Sequence, residues 1–157
     1  MIKSSTPTMD NPTWHIPDPH AQPEFYADVP TKRLIAWIVD MVLILGISAL
    51  ITVFTAFVGL LFFPLIVLTV GFVYRVVTIA NGSATWGMRL LAIEFRTLRG
   101  ERFDLSMAAM HTFFYSVSLA FFLMQIISMV LMLTTARGQG LSDHLLGTVA
   151  VNRRAGS

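Results

Sequence analysis

Thr31–Val42 reads TKRLIAWIVDMV. It opens the first long apolar run and carries two charges, Arg33 at the mouth and Asp40 seven residues further in. On a helix, seven residues are close to two turns, so both side chains project from one face, about 10 Å apart along the axis. A carboxylate at that depth in an apolar helix is costly in lipid and calls for a partner, a proton or access to water.

The 157 residues are 55% apolar and only 13% charged, with a mean hydropathy of +0.69. A soluble domain carries about a quarter charged residues, so this balance indicates an integral membrane protein. There is no cysteine, which excludes disulfides, CxxC redox motifs, thiolate zinc sites and covalent c-type haem. The histidines lack HExxH spacing, and there is no P-loop, dinucleotide fingerprint or nucleophile elbow. No cofactor, no metal and no enzymatic activity are expected. Basic residues are not interleaved with aromatics on a soluble face, which argues against a nucleic-acid partner. The expected partners are the lipid bilayer and a second copy or a larger membrane complex.

Residues 1–30 hold six of the seven prolines, a density that favours a flexible tail, with Phe25 and Tyr26 at headgroup level. Leu34–Ala80 is almost wholly apolar over 47 residues. One crossing needs about 20, so two helices fit, near 32–57 and 60–80, with the turn around Gly59 and Pro64. Lys32 and Arg33 precede the pair, and Arg75, Arg89, Arg96, Arg99 and Arg102 fall at or after its end. The positive-inside rule then places the tail and the 81–104 segment in the cytoplasm. Arg75 lies about 8 Å inside the same end that Asp40 enters by about 12 Å. Asp40 is therefore expected to pair with Arg75, with Arg33 or with both. Ser48, Thr52, Thr55 and Gly59 extend its stripe, as a helix contact or a hydrated path.

In the 81–104 segment Leu91, Ile93 and Phe95 alternate with more polar neighbours, predicting a short hairpin or an extended surface segment with arginines facing headgroups. The third apolar run is Leu105–Thr134. Asp104, His111, Ser118, Gln125 and Ser128 follow at steps of seven, seven, seven and three, all on one helical face. That regularity predicts one continuous tilted helix over 105–134. Its face reads as an interhelical hydrogen-bond seam, or as a polar track with His111 as a titratable step. The fold class is thus an all-α membrane protein of three transmembrane helices with a short β-like cytoplasmic segment. Three crossings place Asp143 on the side opposite Arg33. The basic end, residues 153–157, and the strand-like Thr148–Val151, which suits pairing with 90–96, point instead to both ends on one side.

Arg33, Asp40 and Asp143, the last within LSDHLLGTVAV, resemble the pattern of the RDD family of small membrane proteins, named for one arginine and two aspartates. The stretch GSATWGMRLLAIEF is similar to that family's glycine-rich segment. It departs at Met88, where lysine is common, and at Ala92, where glycine is common. The resemblance covers about 26–152 and implies a membrane domain, 31–152, sometimes supposed to serve transport, in a bacterial inner membrane. Two functions are expected from this. One is transport of a small ion or other ligand through an intramembrane site of Asp40 and Arg75, with Asp40 as the ion or proton site and His111 and Gln125 nearby. The other is a structural or assembly subunit of a larger complex.

Overall fold

The computed structural model describes residues 16–153. Helix α1, Val29–Phe54, begins with proline in its first turn, where the missing N–H costs nothing. A 3₁₀ turn, Val58–Phe62, returns the chain into α2, Phe63–Ala80. The two helices run antiparallel, with Asp40 opposite Tyr74 and Ile44 against Gly71. The buried face of α1 is Ala36, Asp40, Ile44, Ser48 and Thr52, a ridge in steps of four of the kind that interdigitates with a neighbouring helix. Ser48 Oγ donates to the Ile44 carbonyl and Thr52 Oγ1 to the Ser48 carbonyl. The hydroxyl stripe is therefore satisfied within its own helix and serves packing, not a hydrated path. Leu34, Val42, Leu50, Leu65 and Leu68 remain exposed on the outside, as lipid-facing residues do. Both segments are long and apolar enough to cross a membrane.

The third apolar run is not one continuous helix. It divides into α4, Leu105–Ala120, and α5, Phe122–Thr134, bent by 117° at Phe121, whose backbone is extended. At about 1.5 Å per residue the two pieces are about 24 and 20 Å long, each short of a bilayer core of about 30 Å. Bent so sharply, the pair counts as one broken span or as a re-entrant loop. The seven-residue seam is thus divided among local tasks. Asp104 Oδ1 caps α4 by accepting from Met107 N at 2.8 Å. Ser118 and Gln125 still meet across the bend at 3.4 Å. Ser128 Oγ accepts from Leu141 N at 3.0 Å and anchors the returning arm.

A small cap closes the end at which α1 begins and α2 finishes. It comprises α3, Trp86–Leu90; β1, Ile93–Thr97; α6, Leu141–Leu146; and β2, Thr148–Asn152. β1 pairs with β2, antiparallel, from Ile93↔Asn152 to Thr97↔Thr148. The local hairpin expected within 81–104 does not form, because β1 finds its partner at the far end of the chain. Gly147, at φ 62, ends α6 in the left-handed conformation and turns the chain directly into β2. The sheet places Asp143 on the same side as Arg33, which corrects the opposite-side expectation. Val29, Ala36, Ile79, Met88, Ile93 and Phe95 form the core beneath the cap.

Ile16 and Tyr26 pack on Val149 and Val151, and Tyr26 OH donates to the Pro17 carbonyl at 2.7 Å. Asn152 Nδ2 donates to the Glu24 and Ala27 carbonyls, and Lys32 Nζ donates to Asn152 Oδ1. The described part of the expected flexible tail is therefore docked on the sheet; its remainder, residues 1–15, lies outside the described residues, as do 154–157. The arginines of the 81–104 segment do not all face headgroups. Arg89 turns inward, donating to the Thr78 and Ala84 carbonyls. Arg96 and Arg153 both pair with the buried Glu94. Burial pushes that carboxyl up, but the two arginines outweigh it and hold it below its ordinary range.

Candidate functional site: a charge latch beside a membrane cavity

Asp143 lies in the first turn of α6, fully buried. Its Oδ2 accepts from Arg33 Nη1 at 2.5 Å and from Gly140 N at 3.0 Å. Its Oδ1 accepts from Thr148 Oγ1 at 3.0 Å and lies 2.9 Å from His111 Nε2. A carboxylate only accepts, so this imidazole nitrogen carries the proton. Burial alone raises the carboxyl's pKa. The Arg33 charge and the His111 contact overcome that and hold it well below the usual carboxylate range. Arg33 also donates to the Gly138 carbonyl and stands 5.4 Å over the Phe95 ring. Phe95 in turn packs 4.6 Å from His111. One carboxylate thereby ties α1, α4, α6 and β2 together.

Asp40 does not pair with Arg75 or with Arg33. Its Oδ1 accepts from Tyr74 OH at 2.7 Å and from Gly87 N at 2.9 Å. Tyr74 OH also accepts from Trp86 N at 3.2 Å. Arg33 is already taken by Asp143, and the Arg75 guanidinium lies 4.4 Å over the Tyr115 ring. The Asp40 charge is held by neutral donors, which bond more strongly to a charged acceptor than to a neutral one. Gly87 reaches it because α3 touches α1 backbone to backbone. Asp40→Ala is expected to destabilise by about 1–3 kcal/mol for each donor left unmet. Adding Arg75→Leu should restore none of that loss. Melting temperatures of the two single variants and the double variant check this, and a double variant clearly more stable than Asp40→Ala would overturn the assignment.

A cavity of 390 Å³ opens among α1, α2, α4 and α5. Arg33, Asp40, Arg75, His111 and Gln125 all contribute to its wall. Asp143 is not among the lining residues and acts on the wall through Arg33 and His111. Most of the remaining wall is apolar, from residues such as Leu34, Trp37, Leu119 and Met129. Tyr115 OH accepts from Trp37 Nε1 at 2.7 Å, bridging α1 and α4 across the space. Two buried polar atoms on lining residues, Arg75 Nη2 and Thr112 Oγ1, have no hydrogen-bond partner among the described residues.

The RDD family pattern matches residues 28–147, a span that holds α1 through α6 and both charge sites. The chain belongs to the RDD family. No curated protein and no solved structure matches this RDD chain. Its arginine and second aspartate form one ion pair, and its first aspartate stands apart as an anchor for α3. Sequence reasoning missed four residues of the candidate site: Tyr74 and Gly87, which hold Asp40, and Thr112 and Tyr115, which line the cavity together with Arg75. Gly87 had a usable signal, since a glycine inside a short helical turn implies close backbone approach. Thr112 carried none beyond its position next to His111.

Proposed function

We propose that this RDD protein is a multi-pass protein of the bacterial cytoplasmic membrane. It binds a small ligand in the cavity between α1, α2, α4 and α5 and takes part in moving it across the bilayer, with no catalytic step. The observation that carries this reading is the cavity, which gathers Arg33, Asp40, Arg75 and His111, with Arg75 Nη2 and Thr112 Oγ1 buried and without a hydrogen-bond partner among the described residues. Ionisable groups at membrane depth are costly and mark ligand paths. Its volume falls within the range of about 300–1,000 Å³ typical of small-molecule sites. Lys32, Arg89, Arg96, Arg99 and Arg102 sit at the capped end, which supports a cytoplasmic placement of the cap and of both described termini. An oligomer is the transporting form in this reading, because so few helices hardly enclose a path alone.

The expected ion site at Asp40 gives way here to Arg75. Asp40 is already satisfied by Tyr74 and Gly87, whereas the buried Nη2 of Arg75 has no hydrogen-bond partner among the described residues. The cysteine-free sequence provides a clean background for testing access. In proteoliposomes, Gln125→Cys on the cavity wall should react with a small charged methanethiosulfonate. Leu68→Cys, on the outer face of α2, should not. If the two cysteines are equally inert, the cavity is not reached from water and the reading fails.

A further inference from the structure

We propose that the cavity selects an anionic amphiphile, a carboxylate or phosphate head on an apolar tail, and that Arg75 and Thr112 receive the head. This rests on the cavity being the binding site, as argued above.

Among the described residues, Arg75 is the one charge on the cavity wall left without polar compensation. Arg33 is neutralised by Asp143, and Asp40 is held by two donors. His111 turns its Nε2 to Asp143 and packs its ring against Phe95 and Phe103. Among the described residues Arg75 forms neither an ion pair nor a hydrogen bond, and its Nη2 is buried. The face of Tyr115 at 4.4 Å attracts the guanidinium but accepts no proton from it in the plane of its N–H groups. A planar guanidinium with free donors matches the paired oxygens of a carboxylate or a phosphate.

Thr112 strengthens the assignment independently. It is 1% exposed, lies on α4 one turn before Tyr115, and lines the same cavity with its hydroxyl unpartnered. Two other hydroxyls of α4, those of Ser116 and Ser118, are satisfied on carbonyls of their own helix. A buried hydroxyl with an unused donor in the same cavity as an uncompensated cation suits an acceptor oxygen, and the guanidinium charge disfavours a cation there. The wall also explains why the ligand has a tail. Leu34 and Leu133 line the cavity and are exposed on the lipid-facing outside, at 59% and 76%. A head drawn to Arg75 would lead its chain out between them.

The test uses the full-length protein in a neutral detergent, with binding read as a concentration-dependent rise in melting temperature. The probes are oleate and phosphatidylglycerol as anionic amphiphiles, oleyl alcohol and diacylglycerol as their neutral counterparts, and inorganic phosphate as a head without a tail. Oleate or phosphatidylglycerol should bind, and the neutral lipids and inorganic phosphate should not. Arg75→Gln should weaken binding by about tenfold or more, as expected for losing a hydrogen bond to a charged group. Arg102→Gln, half-exposed on the surface and not part of the cavity wall, should leave it unchanged. Thr112→Val should weaken binding several-fold while the ligand-free protein stays as stable or becomes more so, because an orphaned hydroxyl has gone. If Arg75→Gln does not accumulate, Arg75→Lys and Thr112→Val supply the same comparison. Equal binding of neutral and anionic lipids would overturn the selectivity. Saturation by inorganic phosphate alone would overturn the tail. Either result alongside a reactive Gln125→Cys would leave the cavity as a ligand site and sink only this assignment.

Discussion

Gly87→Ala is expected to be among the most damaging single substitutions in this protein, lowering its stability by about 3 kcal/mol or more. A Cβ at that position would stand 2.3 Å from the Ala36 carbonyl oxygen, 2.9 Å from its carbon and 3.0 Å from its Cα. All three are backbone atoms of α1, so no rotamer change relieves the clash and α3 must lift away. Lifting α3 withdraws Gly87 N from Asp40 and strips a buried carboxylate of one of its two donors. A natural control lies in α1 itself. An added Cβ at Gly46 would meet nothing within 4 Å. Gly46→Ala should therefore be neutral or stabilising by about 0.5–1 kcal/mol, through helix propensity. Melting temperatures and yields of the two variants check this, and equal stability would show that the α1–α3 contact does not hold the cap.

The second large effect is expected at Asp143. Asp143→Ala removes the acceptor for Arg33, Thr148 and Gly140 together with the His111 contact, leaving the largely buried guanidinium of Arg33 without its counter-ion. Breaking one side of a buried pair costs about 3–5 kcal/mol. Removing both sides with Arg33→Leu and Asp143→Leu should recover part of it, measurable as a positive coupling in a double-mutant cycle. The acid dependence follows from the same group. Its folded pKa lies below the ordinary 3.8, so its contribution is fully present above that value. It disappears as pH falls through the lower, folded value. The wild type should lose this stabilisation only in strong acid, and Asp143→Ala should lack that step. A variant with the wild-type acid profile would refute the latch.

The parts of this fold that were legible in the sequence are those where composition alone decides. Leu34–Ala80 is too long and apolar for one span, so two helices followed, with ends close to those observed. The strand character of Thr148–Val151 was also readable, including its affinity for 90–96. The bend at Phe121 was not, because no proline or glycine marks it. On either side of it, His111 of α4 and Ser128 of α5 both bond to α6, contacts between distant parts of the chain that no local pattern announces. A seven-residue polar repeat looks the same on a straight helix as on a bent pair. Asp40 failed for a different reason. Matching charge to charge overlooks a tyrosine hydroxyl and a backbone amide, and those neutral donors are what the folded chain supplies. The docking of Ile16 and Tyr26 on Val149 and Val151 was hidden by the prolines around them.

The pairing of β1 with β2 bears on biogenesis. Arg33 and Glu94 leave the ribosome well before the residues that neutralise them, Asp143 for the first and Arg153 for part of the second. At about 5–20 residues per second, Arg33 stays without its counter-ion for roughly 5–20 s of synthesis. The insertion machinery must therefore harbour two helices whose shared end is electrically open, and the final dozen or so described residues seal it.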